Sequence, residues 1–444
     1  MPSRRPSAVL MLGVTAAVAV ALTGCSASGS ATTASSGPVT VQFWHAMAGP
    51  AATELDSLVT EYNADNTDHA TVKASFQGDY AAVQTKYTAA VQSSSTPDLL
   101  MMNDVSTGFM MDSGQTVAPS SLGKVDTSTM APAATRYYSG KDGLAAMPFS
   151  VSVPVLYIDR ALATKAGLDP SSPPKTLAEV ATWAKQIHQA SGAYGFSMNM
   201  GDSWMLEELS AAGGKAFCTP QNGRGSRPAT GVSLTSDSQV DFMTTLQSLY
   251  QGGVALNPGT DSAAMNSAFA SGKVGMLLTS SGAYTTVDPD GSKSVVASFP
   301  TTASSKDAGQ VIGGNALWIS GKGHSSAQQQ ASFDFAKWLQ TPEVQAKWAK
   351  ATGYLAMDTG AADTSVGKRS LADPNVATMY RQLAADPAST AAAGCVTGAF
   401  PTVRATVIGA FNRVVEGSDV ASTMRTAEQQ AKSQIASYNQ AAGK

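Results

Sequence analysis

The chain has 444 residues, with 29 Lys and Arg against 32 Asp and Glu and a formal net charge of −3. That mild acidity excludes the basic surface a nucleic-acid-binding protein needs. A hydrophobic content of 43% with only 14% charged residues excludes a disordered chain, and the length is enough for two lobes with separate cores.

The first residues set the compartment. Arg4 and Arg5 form a short positive segment, and an apolar run follows from Val9 to Leu22. The run is too short for a comfortable membrane span and fits a signal peptide. It ends in Leu22-Thr23-Gly24-Cys25, which resembles the bacterial lipobox. Residues 1–24 are therefore expected to be a lipoprotein signal peptide and Cys25 the acylated residue; the alternative is cleavage nearby with Cys25 lost or unmodified. Residues 25–37 are almost entirely small and polar. Such a stretch cannot bury apolar area, so it reads as a flexible tether that anchors the protein to the outer face of the cell membrane. The other two cysteines, Cys218 and Cys395, are an even pair in an exported chain, where a disulfide is expected; two buried thiols are the alternative. No close cysteine pair suggests a metal, and no cofactor is implied.

From Pro38 the pattern is regular. Val39, Val41 and Phe43 alternate as a strand, and Leu55, Leu58, Val59 and Tyr62 follow at helical spacing. Val72, Ala74 and Phe76 alternate again. Tyr80 to Val91 reads as a helix through Val83, Tyr87 and Ala90, and Leu99 to Met102 is an apolar run suited to a buried parallel strand. This βαβαβ order predicts a parallel sheet with covering helices and a ligand beyond the carboxyl ends of its strands. A strand at Val155–Ile158 follows a change near Pro148–Pro154. Helices are expected at Leu177–Gln189, Trp204–Ala212, Val240–Tyr250 and Ala263–Ala270, and strands at Val274–Leu278 and Asn315–Ser320. The last third reads as helices at Ser325–Leu339, Pro342–Thr352, Val376–Ala385, Val403–Val415 and Val420–Tyr438.

Several segments, in order along the mature chain, now carry a resemblance: QFWHAMAG, VPVLYIDRALATKAGLDPSSPPKT, FASGKVGMLLTSSG, VIGGNALWIS and ATGYLAM. The chain is similar to the cluster B extracellular solute-binding proteins of ABC importers (family 1), and within them to the Ugp-type glycerol-3-phosphate/glycerophosphodiester-binding proteins. The resemblance implies a two-lobed periplasmic-binding-protein-like fold of type II. Each lobe would be a mostly parallel sheet with flanking helices, and the ligand would be clamped between them. The expected division is 38–153 plus 280–314 for lobe 1 and 154–279 plus 315–444 for lobe 2, with crossings near Pro154, Thr279 and Gly314. It further implies a monomer that hands its solute to membrane permease subunits, without nucleic acid as a partner.

The same resemblance supplies the candidate ligand residues. Arg404, in the run FPTVR, corresponds to a phosphate-contacting arginine, and Ser281, Gly313, Gly314 and Tyr354 to positions that bond the same head group. Ser152 corresponds to a serine at the first crossing. Tyr80 and Asp104 correspond to a tyrosine and an acid that hold glycerol hydroxyls; Asp104 is one methylene shorter than the glutamate of the family pattern. Trp204 corresponds to one of two tryptophans, and Gly201 takes the place of the second, which opens the pocket. His45 is expected at its rim. Three other readings stay open. A mono- or oligosaccharide would use Asp104, Trp204 and Tyr354 equally well, and Arg404 is the residue that separates it from a phosphate ligand. A secreted hydrolase is disfavoured, since neither HExxH nor GxSxG occurs. A sensor or adhesin built on the binding fold is a third.

Overall fold

The computed structural model describes residues 38–444 apart from 68, 202–203, 303–304, 306–309 and 386–387. The expected signal peptide, Cys25 and the tether lie outside the described residues.

The alternation at the start of the mature chain forms β1 (Thr40–His45), with Val41 and Phe43 buried. Helix α1 (Gly49–Asp65) buries the stripe Leu55, Leu58, Val59 and Tyr62, and β2 (Thr71–Phe76) returns parallel to β1. Helix α2 (Tyr80–Gln92) begins where Asp79 accepts a hydrogen bond from the Ala82 backbone N–H at 2.8 Å. The apolar run becomes β3 (Leu99–Asn103), parallel to β1. Short β4 (Thr116–Val117), then β5 (Met147–Ser152) and the late strand β11 (Gly313–Ser320) complete a sheet in the order β2-β1-β3-β11-β4, with β5 also paired to β11. A second sheet holds β6 (Pro154–Asp159), β7 (Phe196–Met198), β8 (Ala255–Leu256), β9 (Met276–Ser280) and β10 (Ser294–Ser298) in the order β8-β7-β9-β6-β10.

Both sheets are mixed, which corrects the expectation of mostly parallel ones. Strands β1 to β3 run parallel, but β11 is antiparallel to β3, β4 and β5. In the second sheet β8 and β9 are parallel to β7, while β6 is antiparallel to β9 and β10. The cause is topological. Strands β3 and β9 end at the gap between the sheets, whereas β6 and β11 start there, straight after the chain has crossed. A strand that starts at the gap must run against those that end on it.

The lobe boundaries also differ from expectation. Ser294–Ser298 pairs in the second sheet, not the first, and Gly313–Ser320 runs through the first, not the second. The chain crosses between sheets at Ser152–Pro154 and again between the end of β10 and the start of β11. Thr279 is no crossing, because β9 stays paired with β6 up to the Ser280–Pro154 register. The stretch 315–444 is shared: Trp348 of α4 (Pro342–Thr352) packs on Phe149 with ring centroids 4.6 Å apart, whereas α6 (Phe400–Val415) and the last helix (Val420–Ala441) bury Phe400, Phe411, Met424 and Ile435 with Leu156, Phe196 and Met276 of the second sheet.

The first crossing is pinned from both sides. The Ser281 N–H donates to the Val153 carbonyl at 2.8 Å, and the Val153 N–H donates to Ser281 Oγ at 3.2 Å. Helix α5 (Pro374–Ala384) braces the crossings through Gln382, whose Nε2 donates to the Pro154 carbonyl and to Gln310 Oε1.

Candidate functional site

The end of β3, the start of β11 and the first turns of α2, α6 and α3 (Trp204–Ala212) surround a cavity of about 600 Å3. Its walls come from both lobes. Tyr80 stands at the first position of α2, set there by the Asp79 cap, and its hydroxyl accepts a hydrogen bond from Asn315 Nδ2 at 3.0 Å. Asp104 follows directly on β3 and is buried. Tyr137 Oη donates to its backbone carbonyl at 3.3 Å. Ser152 is the last residue of β5 and pairs with Gly313.

Trp204 is buried, and its indole N–H donates to the Val311 carbonyl of the second crossing at 2.9 Å. Gly313 gives that ring its room: a Cβ there would lie 2.9 Å from Trp204 Cη2 and 3.0 Å from Ser152 Oγ. Tyr354 stacks on Trp348 at 6.1 Å with planes 12° apart. Burial, and then the Asp104 charge, push the Tyr354 phenol up to about 12; burial followed by Tyr354 also raises Tyr80. Both phenols therefore stay protonated near neutral pH and can donate as well as accept.

Arg404 lies one turn into α6. Its Nη2 is 2.8 Å from Glu207 Oε1 and 3.5 Å from Asp104 Oδ2. The guanidinium also lies over the Phe400 ring, 5.2 Å from its centroid. Among the described residues this cation thus faces two carboxylates, one from each lobe. A cation so engaged has little net charge to offer a dianion, and a dianion would meet both acids.

Tyr80, Asp104, Ser152, Trp204, Gly313, Gly314, Tyr354 and Arg404 all line this one cavity, as does Gly201. Ser281 does not. It is fully buried and serves the crossing, while its neighbour Ser280 lines the cavity. His45 is buried, with Nδ1 accepting from the Met47 N–H at 3.2 Å, and burial lowers its pKa. It does not line the cavity, contrary to the rim position expected of it.

Sequence reasoning missed Glu207, Gln84, Asn103, Ser106, Asn199 and Ser262. Glu207 had a signal: it and Glu208 interrupt the otherwise apolar WMLEEL, and both are buried. Acids in such a run need a partner. The small polar residues had none. Cys218 and Cys395 form a disulfide, with Cα atoms 5.4 Å apart.

A cleft between two α/β lobes, lined by hydroxyls, aromatic rings and one shared charge cluster, defines a solute-binding protein. Residues 57–378 match the family model described as bacterial extracellular solute-binding protein, and the chain belongs to that family. It is the solute-capturing component of an ABC importer, holds a small polar ligand between its lobes and is not an enzyme. Among relatives, it is 29% identical over 379 residues to the sn-glycerol-3-phosphate-binding periplasmic protein UgpB of Escherichia coli K12, covering 83% of this chain and 86% of that one. Among solved structures, it is similar to the cyclic alpha-maltosyl-1,6-maltose binding protein of Arthrobacter globiformis, with TM-score 0.72, 23% identity and coverage of 90% and 99%. It is similar also to UgpB of Mycobacterium tuberculosis in complex with glycerophosphocholine, with TM-score 0.76, 20% identity and coverage of 90% and 99%.

Proposed function

We propose that the chain captures a neutral polyhydroxylated solute, a mono- or oligosaccharide, and delivers it by lobe closure to the permease of a carbohydrate importer. The observation that carries this reading is the placement of Arg404 between Glu207 and Asp104. Arg404 was the residue expected to separate a phosphate site from a sugar site, and its charge is matched within the protein wall. Asp104 is then an acceptor for ligand hydroxyls, Trp204 and Tyr354 supply ring surface, and Tyr80, Ser152, Ser280 and the Gly313–Gly314 backbone supply further polar contacts. Ligand touching both lobes shifts the population toward the closed form.

A second reading is glycerol-3-phosphate or a glycerophosphodiester, favoured by the relatives of that name at 29% identity over most of the chain. Thermal-shift screening separates the two, because a binder raises the melting temperature by mass action. Stabilisation by neutral sugars, with none from glycerol-3-phosphate or glycerophosphocholine, supports the carbohydrate reading; the reverse result overturns it.

We further propose that the mature chain is a monomer held at the membrane by lipid on Cys25. Metabolic labelling with a fatty acid that is lost in Cys25→Ser tests the anchor, and labelling that persists in that variant contradicts it.

A further inference from the structure

We infer that Glu208 is a positioning residue for ligand capture: together with Trp204 it clamps Val311 of the second crossing, and so sets a ring of the cavity wall and ties that ring to the movement of the lobes. Glu208 is not among the residues that line the cavity, and the inference holds for either ligand class above.

Glu208 sits beside Glu207 in the otherwise apolar run WMLEEL of α3, and each is only 1% exposed. Burying an acid is costly unless its oxygens are bonded. Glu207 reaches Arg404. Glu208 reaches the second crossing, where its Oε1 accepts from the Val311 N–H at 3.0 Å. Trp204 stands one turn earlier on the same helix face, and its indole N–H donates to the Val311 carbonyl at 2.9 Å. Val311 is itself buried. One turn of α3 thus holds both backbone polar groups of a single crossing residue.

The same stretch of chain carries the ring. Two residues on, Gly313 opens β11, and a Cβ there would lie 2.9 Å from Trp204 Cη2 and 3.1 Å from its Cζ2. The indole therefore lies along Val311–Gly313, bonded to that chain at its N–H and resting on it at its far edge, while forming part of the cavity wall. Just before Val311, Gln310 Oε1 accepts from Gln382 Nε2, which also donates to the Pro154 carbonyl. Val311 is joined on one side to the first crossing and on the other to the cavity.

A hinge movement that turns Val311 must carry the Trp204 ring with it or break these bonds. A ligand held against the ring favours the setting of the crossing in which both bonds are made. The part that Glu208 plays needs an acceptor. Without one, the Val311 N–H is left buried and unbonded, and the crossing gains by turning away from the register that holds the indole.

The test uses the full mature chain with isotope-labelled tryptophan. The Trp204 indole N–H resonance is identified by its loss in Trp204→Phe. Glu208→Leu is expected to move that resonance and to weaken, by at least about tenfold, whichever of maltose, mannobiose, lactose, glycerol-3-phosphate and glycerophosphocholine the wild type binds in calorimetry. Glu208→Gln keeps an oxygen for the Val311 N–H and is expected to leave the resonance in place and the affinity within about twofold of wild type. A brace without influence on the ring would lower the melting temperature of Glu208→Leu yet leave its Trp204 resonance and affinity as in the wild type. That result overturns the inference, as does Glu208→Gln behaving like Glu208→Leu. If none of these solutes binds, the resonance decides alone. If Glu208→Leu does not fold, Glu208→Asp, whose carboxylate stops one methylene short of Val311, is read in its place with the same expectation.

Discussion

The Asp104 carboxylate of the first lobe lies 3.5 Å from the Arg404 guanidinium of the second, and the same nitrogen lies 2.8 Å from Glu207. Arg404 is thus part of the protein's own charge balance before any ligand arrives. Arg404→Ala would remove the cation that lies 2.8 Å from the Glu207 carboxylate, whose side chain is 1% exposed. Breaking a buried pair from one side costs about 3–5 kcal/mol, so the variant is expected to lose that order of stability in urea unfolding. Arg404→Met combined with Glu207→Gln removes both charges and is expected to recover most of the loss. A single variant that unfolds like the wild type would show that the pair does no structural work.

Gly314 has φ +133°, and a Cβ there would stand 1.9 Å from the Ser150 carbonyl oxygen. The left-handed backbone and the close strand approach both require glycine where the chain enters the first sheet. Gly314→Ala is expected to lower stability by at least about 1–3 kcal/mol, read as a fall in melting temperature. An unchanged melt would mean that the β5–β11 contact is looser than described.

The disulfide bears on the site through Arg224. Cys395 adjoins Gly394, whose carbonyl accepts from Arg224 Nε at 2.8 Å, and Arg224 Nη2 donates to the Tyr137 carbonyl at 2.8 Å. Tyr137 in turn donates to the Asp104 carbonyl. Replacing both cysteines by serine is expected to cost about 2–4 kcal/mol and to weaken ligand binding. Arg224→Met is expected to weaken binding while the disulfide stays formed, which thiol titration verifies.

Stability should fall in alkali. Tyr354 and Tyr87 are both pushed by burial up to about 12, against 10 in an unfolded chain. Below the unfolded value both states hold these protons. As pH rises above 10 the unfolded chain releases them while the folded one keeps them, so unfolding is favoured progressively until the folded value is passed. The melting temperature is expected to be level from about pH 7 to 9 and to decline above about 10. Tyr87→Phe should decline less steeply, and an identical slope would remove Tyr87 as a contributor.

Much of the fold was legible because periodicity is local. The stripe Leu55, Leu58, Val59, Tyr62 and the run Leu99–Met102 fell where hydrophobic spacing put them. Strand direction was not legible: nothing within Gly313–Ser320 says that it runs against β3, since that follows from where the chain crosses. Ser294–Ser298 was missed for a related reason. It has no alternating pattern, and its place depends on Asn375, whose side chain accepts from the Val296 N–H. In the site, the large or charged residues Tyr80, Asp104, Trp204, Tyr354 and Arg404 came through the resemblance. What they do to one another did not. Glu207 neutralises Arg404 across a distance that no spacing encodes, and Ser280 rather than Ser281 faces the cavity because Ser281 is used by Val153.

Calorimetric titration of wild type and Asp104→Asn, each with neutral sugars and with glycerol-3-phosphate, tests the central claim most directly. If Asp104 accepts hydroxyl hydrogens from a neutral ligand, the substitution weakens sugar binding by at least about tenfold, or ~1.4 kcal/mol. If the site is built for glycerol-3-phosphate, whose hydroxyls Asp104 would then hold, the substitution weakens that ligand instead, by a similar factor, and sugars give no measurable heat with either protein. That second outcome would contradict the account.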